Sequence, residues 1–119
     1  MRLETEKRGG TVILRVAEPR LDAQQAIEFR DRFRAALPPG ARRVVLDLAE
    51  VEFIDSSGLG AVVAVMKAAG PEVSFELAGL TPLVAKVFRL TRMDTVFRIH
   101  GSVAQALLPG GNGAGDDAP

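Results

Sequence analysis

The feature that most constrains the fold is a strand, a polar turn and an apolar helix in direct succession, VVLDLAEVEFIDSSGLGAVVAVM. Val44–Leu48 is apolar except for Asp47, which predicts a buried, parallel strand. Leu59–Met66 is apolar on nearly every side, which predicts a helix packed deeply against a sheet. The hydroxyl-bearing residues between them therefore fall at a helix N-terminus, where backbone N–H groups lack partners and the positive end of the helix dipole faces solvent.

The remainder of the chain alternates between strand and helix patterns after an initial hairpin that turns at Gly9-Gly10. The other predicted elements are strands at Leu3–Lys7, Thr11–Val16, Val73–Leu77 and Val96–Ile99, and helices that follow the candidate caps Asp22, Thr81 and Ser102, the last of them ending near Leu108. This alternation predicts a single α/β domain over residues 1–108, with a mixed sheet because the hairpin adds an antiparallel pair to parallel crossovers.

The last eleven residues, PGGNGAGDDAP, contain no apolar side chain other than alanine and proline. Such a segment cannot bury a core, and a disordered C-terminal tail is predicted over residues 109–119.

Composition excludes several classes of function. Fifteen basic and fifteen acidic residues give zero net charge, which argues against a direct nucleic-acid partner. Cysteine is absent, so there is no disulfide or thiolate metal site, as is usual in the cytoplasm. No apolar run reaches the length of a membrane span, and the N-terminus has no apolar signal-peptide core. We therefore expect a cytoplasmic protein with no membrane partner.

The polar turn Asp55-Ser56-Ser57 carries the most distinctive chemistry of the chain. Either Asp55 or Ser56 could cap the following helix, which leaves the second serine without a structural purpose. A phosphate on a serine adds about −1.5 to −2 charges, which a helix N-terminus stabilises. Phosphorylation here would therefore alter a binding surface without unfolding the domain. Gly58 and Gly60 are poor helix formers and are expected to leave the backbone open to a partner or a phosphate.

Catalytic chemistry finds little support in the sequence. The single histidine, His100, is distant from the serines along the chain and is interpreted as a surface residue. There is no Gly-x-Ser-x-Gly elbow, no phosphate-binding Gly-Lys-Ser/Thr motif and no cluster of metal ligands. In the strand around Phe75, Ser74 and Glu76 alternate with apolar residues, which predicts one apolar and one polar face. We expect a protein that is not an enzyme and needs no cofactor.

The string FIDSSGLG, following VVLDLAEVE, resembles the signature of the anti-sigma factor antagonist family, whose members are STAS domains. Arg20–Ala23 is similar to the family segment before its first helix, and Leu90–Phe97 to the segment before its last strand. The resemblance covers most of the chain from Leu3 to Leu108.

This resemblance implies a phosphorylation-switched binding module. It implies that Ser57 accepts phosphate from a serine kinase that is also an anti-sigma factor, and that a phosphatase reverses the reaction. The unphosphorylated form is expected to bind the anti-sigma factor and release the sigma factor. Asp55 is expected to orient the loop and Asp22 to help dock the kinase. The predicted partner-binding residues are Asp22, Asp55, Ser56, Ser57, Gly58 and Leu59.

Two alternatives stay open at this point. Asp22 is equally well interpreted as a plain helix cap. The whole domain could also be a non-switching STAS subunit, acting as a scaffold in a stress-sensing complex or as an accessory subunit of a transporter, although the Asp-Ser-Ser string favours the switch. One position departs from the family pattern, since Pro19 stands where glycine is usual, and proline fixes φ and removes a donor.

Overall fold

The computed structural model describes residues 1–109, so the predicted tail beyond Pro109 lies outside the described residues. Its strands are β1 (Leu3–Arg8), β2 (Thr11–Val16), β3 (Arg20–Leu21), β4 (Arg43–Asp47), β5 (Phe53–Ile54), β6 (Ser74–Ala78) and β7 (Arg98–His100). Five of them form a sheet in the order β1-β2-β4-β6-β7, and β3 pairs with β5 in a separate two-stranded sheet. Only the β1–β2 pair is antiparallel, which confirms the predicted mixed sheet and α/β class.

The helices are α1 (Ala23–Ala36), α2 (Ser56–Ala69), α3 (Pro82–Leu90) and the single turn α4 (Val103–Ala106), with a 3₁₀ turn at Met93–Thr95. Several strand and helix ends differ from prediction by one or two residues, and the largest differences lie near the C-terminal end of the domain. The last strand begins at Arg98 and not at Val96, because the 3₁₀ turn precedes it, and α4 ends before Leu108. Thr81 does occupy the N-cap of α3, but its hydroxyl donates to the Val51 carbonyl at 2.7 Å instead of capping the helix. Within residues 1–109, no helix is long and apolar enough to cross a membrane.

The hairpin and the central strand form as the sequence predicts. Gly9 adopts a positive φ of 60°, the conformation that glycine allows at low cost in a tight turn. Strand β4 lies between β2 and β6 and is parallel to both, and the side chains of Val44, Val45 and Leu46 are fully buried. A strand buried on both faces requires cover on both sides of the sheet.

Helices α1, α2 and α3 cover one face of the sheet and enclose the main core. A chain of aromatic contacts runs through it from α1 to α3, with ring centroids 5.7–6.3 Å apart. Its members are Phe29, Phe33, Phe75, Phe97 and Phe88. Such spacing is favourable for edge and tilted ring pairs, so these phenylalanines tie the helical layer to the sheet.

The opposite face of the sheet is covered by α4 alone among the described helices, over a small cluster formed by Ile13, Val45, Ala78 and Ala106. Glu76 lies beside this cluster and is only 1% exposed, so the prediction that this side of β6 is a polar, outward face is wrong. The reason is that a buried carboxylate is tolerated where charged and polar donors surround it.

Glu76 has four such donors. Arg43 binds it through two nitrogens, with Nε 2.9 Å from Oε2 and a terminal nitrogen 2.8 Å from Oε1. The Ser74 hydroxyl donates to Oε2 at 2.7 Å, and His100 Nε2 lies 2.7 Å from Oε1. The side chain of His100 is only 9% exposed, so its interpretation as a surface residue is also wrong. Burial favours the neutral acid, but the bonds from Arg43, Ser74 and His100 outweigh it and hold the pKa of Glu76 below its usual range.

Candidate functional site

The carboxylate of Asp55 joins the beginnings of two helices. Its Oδ1 accepts a hydrogen bond from the backbone N–H of Gly58 at 2.9 Å, which caps α2. Its Oδ2 accepts from the backbone N–H of Ala23, in the first turn of α1, at 3.2 Å. Asp55 and not Ser56 is therefore the N-cap of α2, and α1 and α2 begin side by side around one shared carboxylate.

Asp22 caps α1 with a complete capping box. Its Oδ1 accepts from the Gln24 N–H at 3.1 Å, and its own N–H donates to the side chain of Gln25 at 3.4 Å. The structure therefore confirms the helix-cap interpretation of Asp22. A role in docking a kinase stays a prediction.

The two-stranded sheet places these caps together. Leu21 and Ile54 are paired and buried, while Arg20 and Phe53 are paired on its other side. The Arg20 guanidinium lies 4.3 Å from the centre of the Phe53 ring, and its Nε donates to Asp22 Oδ2 at 3.1 Å. A cation stacked on an aromatic ring is held in place, so the outer oxygen of Asp22 has a positive neighbour.

Pro19 fits the connection into this small sheet. Its carbonyl accepts hydrogen bonds from the N–H groups of Glu52 and Phe53, at 2.8 and 3.1 Å. The position contributes an acceptor to the sheet, a role that the missing N–H of proline leaves intact.

Ser56 and Ser57 occupy the first two positions of α2, and both are exposed. Neither hydroxyl forms a hydrogen bond within the part of the chain that the structure describes. At these positions the backbone N–H groups have no partner inside the helix, so they can receive an anion. The predicted acceptor Ser57 is thus accessible, unbonded and next to the helix cap.

The two glycines of the turn differ in their surroundings. Gly58 is buried, and a β-carbon there would collide with the backbone carbonyl oxygen of Leu21. The prediction that Gly58 leaves the backbone open to a partner is therefore wrong. Gly60 is the open position, because it is exposed and a β-carbon there would meet no atom within 4 Å. Leu59 is half-buried and packs against the main core.

The structure therefore brings Asp22, Asp55, Ser56 and Ser57 to one edge of the domain. Sequence reasoning missed Arg20 and Phe53 as parts of this edge. Their stacking depends on the parallel pairing of two very short strands, which gives no periodic signal in the sequence.

Comparison with known proteins shows one family model that matches most of this chain, together with related sequences and structures. The family model described as the STAS domain matches residues 2–106. A STAS-domain containing protein of Pseudomonas aeruginosa is 35% identical over 74 residues, which are 60% of this chain and 71% of that protein. The crystal structure of a Thermotoga maritima protein that is provisionally named an anti-sigma factor antagonist is 26% identical with a TM-score of 0.77. The match covers 88% of this chain and 91% of the other.

More distant structures share the fold. SpoIIAA, an anti-sigma factor antagonist solved in its unphosphorylated form, is 24% identical with a TM-score of 0.70, over 89% of this chain and 93% of its own. The phosphorylated form of this Bacillus protein matches with a TM-score of 0.63. A sulfate transporter family protein from Wolinella succinogenes has a TM-score of 0.70 at 14% identity, over 84% of each chain. With its hairpin, mixed sheet and Asp-Ser-Ser helix start, and with a family model that matches nearly all of residues 1–109, this chain belongs to the STAS domain family.

Proposed function

We propose that this protein is an anti-sigma factor antagonist whose binding is switched by phosphorylation of Ser57. The unphosphorylated protein binds an anti-sigma factor that is also a serine kinase, and this binding releases the sigma factor. The kinase transfers a phosphoryl group from ATP to the Ser57 hydroxyl, and a phosphatase removes it. The protein acts in the cytoplasm as a regulatory binding module and performs no catalysis itself.

The observation that carries this proposal is the position of Ser57. Its hydroxyl is exposed and unbonded within the described chain, and it lies at the second position of α2, beside the cap Asp55. A phosphate there accepts hydrogen bonds from the free N–H groups and is stabilised by the positive end of the helix dipole, so we expect the fold to accommodate it. A partner docked on the same edge would have to accept nearly two added charges, which weakens binding by electrostatic repulsion.

The test compares matched aspartate substitutions at the two serines. We expect Ser57→Asp to melt near the wild-type temperature but to bind the anti-sigma kinase about 10- to 100-fold more weakly, which corresponds to a repulsion of about 1.4–2.7 kcal/mol at the interface. Ser57→Ala should bind normally and resist phosphorylation. Binding is measured by calorimetry with an anti-sigma kinase that binds the wild-type protein, and mass spectrometry after incubation with ATP locates the phosphate.

Ser56→Asp is the control, because it adds the same charge one position earlier in the helix. A phosphate on Ser56, or equal binding by Ser57→Asp and wild type, would contradict the assignment. A protein that no anti-sigma kinase binds or phosphorylates would instead favour the non-switching scaffold or transporter subunit.

A further inference from the structure

Helices α1 and α2 form a groove between their second halves, and the seam between the helices leads from it back to the Ser57 edge. Each helix connects parallel strands in the same sheet, so the two run in the same direction, and Asp55 ties their N-termini together. A cavity of about 130 Å³ lies between them. Its floor lies over the buried side chains of Phe33 and Val65. The apolar lining that stays accessible consists of Leu37 at the end of α1 and of Ala64 and Ala68 on α2.

The α1 side of this groove is basic. Arg30 and Arg34 line it, and no ion pair involves Arg30 within residues 1–109. Arg34 approaches only Asp31, with 3.9 Å between nitrogen and oxygen, and both side chains are well exposed. An exposed ion pair of this kind holds its partners weakly, so two guanidinium groups remain available over an apolar floor.

The surface between the groove and Ser57 is also suited to contact. Ile27, which precedes Arg30 by three residues on α1, is 70% exposed although it is a large apolar side chain. On α2, Gly60 lies three residues after Ser57 and four before Ala64, and nothing covers it. Residues three or four apart share a helix face, so an open path leads from Ser57 along the seam between the helices.

We infer that this groove binds an acidic amphipathic helix of the protein that docks at Ser57. The inference rests on the proposed function, which supplies the docking event. Apolar side chains of such a helix would contact Ile27, Leu37 and Ala68. Its carboxylates would pair with Arg30 and Arg34. The small residues of α2 allow its backbone to approach closely. Two cations beside an apolar floor match a mixed acidic and apolar surface better than a nucleic-acid backbone, which needs a broader basic face.

A peptide experiment tests the groove without any natural partner. The probe is a labelled 16-residue helical peptide with leucines at spacings of three and four and glutamates on the flanks (about four turns). The comparison peptide has lysine in place of each glutamate. The glutamate peptide should bind the wild-type protein and shift the amide resonances of Ile27, Ala64 and Ala68. The lysine peptide should not.

Charge reversal supplies the matched variants. Arg30→Glu with Arg34→Glu should weaken binding of the glutamate peptide by about tenfold or more, because attraction becomes repulsion. Lys86→Glu with Arg89→Glu makes the same charge change on exposed residues of α3 and should leave binding within about twofold of wild type. Circular dichroism verifies that both variants stay folded.

Absence of these resonance shifts, or an equal loss in both variants, would overturn the inference. The two proposals fail separately when a bound anti-sigma kinase is used as the ligand. If Ser57→Asp loses kinase binding and the Arg30/Arg34 variant does not, the groove proposal is wrong and the phosphorylation switch is supported. If the Arg30/Arg34 variant loses kinase binding and Ser57→Asp does not, the groove proposal is supported and the phosphorylation switch is wrong.

Discussion

Replacing Gly58 with alanine should destabilise the protein by about 3 kcal/mol or more, at the upper end of the roughly 1–3 kcal/mol that is typical when a packed interior must accept an extra carbon. The new β-carbon would overlap the carbonyl oxygen of Leu21, which is backbone and cannot turn away as a side chain would. Relief requires α2 to move away from β3, and that movement would pull Gly58 from the Asp55 carboxylate. A loss of this size lowers the melting temperature of a domain of this length by roughly 15 °C.

Gly60→Ala is the matched control, because the substitution is identical and lies two residues away in the same helix. Alanine at Gly60 meets no neighbour, and it favours the helix by up to about 1 kcal/mol relative to glycine. We therefore expect opposite shifts in melting temperature for the two variants, measured by differential scanning calorimetry. Similar stability of the two proteins would show that α2 does not approach β3 as described.

The second large effect is expected for Arg43→Ala. This change removes two hydrogen bonds from Glu76 and leaves a buried carboxylate with only Ser74 and His100 as donors. It also removes the bond of 2.7 Å from Arg43 to the carbonyl of Ala106, which fastens α4 to the sheet. Breaking a buried ion pair on one side typically costs about 3–5 kcal/mol. Urea unfolding monitored by circular dichroism measures this loss.

The pH dependence of the free energy of unfolding tests whether the unpaired Glu76 carboxylate causes this loss of stability. The pKa of Glu76 is lower in the folded protein than in the unfolded chain, so its contribution is present above the ordinary glutamate pKa, which is 4.5. That contribution is lost as the pH falls from there through the lower folded pKa. The acid loss of stability should be smaller in Arg43→Ala, because its Glu76 lacks the guanidinium.

Replacing both partners by methionine provides the comparison. Arg43→Met with Glu76→Met removes the buried charges together and should cost less than Arg43→Ala alone. Two results would contradict this account of the buried face. One is an Arg43→Ala protein as stable as wild type at neutral pH, and the other is an Arg43→Ala protein that loses as much stability at acid pH as wild type does.

The sequence predicts the fold well where the signal is local. The centre of strand β4, Val44–Leu46, is a continuous apolar run, and the turn at Gly9 and the cap at Asp22 consist of residues with strong conformational preferences. These signals depend on residues within one turn or one strand, so they can be recognised in the sequence without knowledge of the tertiary structure. They are sufficient to place Asp55 and Ser57 at a helix start.

The missed features depend on which strands are neighbours. Glu76 alternates with apolar residues, as an outward-facing side chain would, and its partners Arg43 and His100 come from the two adjacent strands. Only the strand order and the cover from α4 make that side of β6 interior. Gly58 and Gly60 are likewise equivalent in the sequence, and the approach of α2 to the Leu21 carbonyl distinguishes them.

The shared carboxylate of Asp55 has a consequence for regulation. One oxygen serves the helix that carries Ser57, and the other serves the helix that Asp22 begins. We therefore expect events at these two helix starts to be energetically coupled. By thermodynamic reciprocity, whatever factor a phosphate at Ser57 imposes on the affinity of a ligand at Asp22, that ligand imposes on the equilibrium of phosphorylation at Ser57. Under the proposed switch, a docked partner would therefore alter the stability of the Ser57 phosphate that releases it.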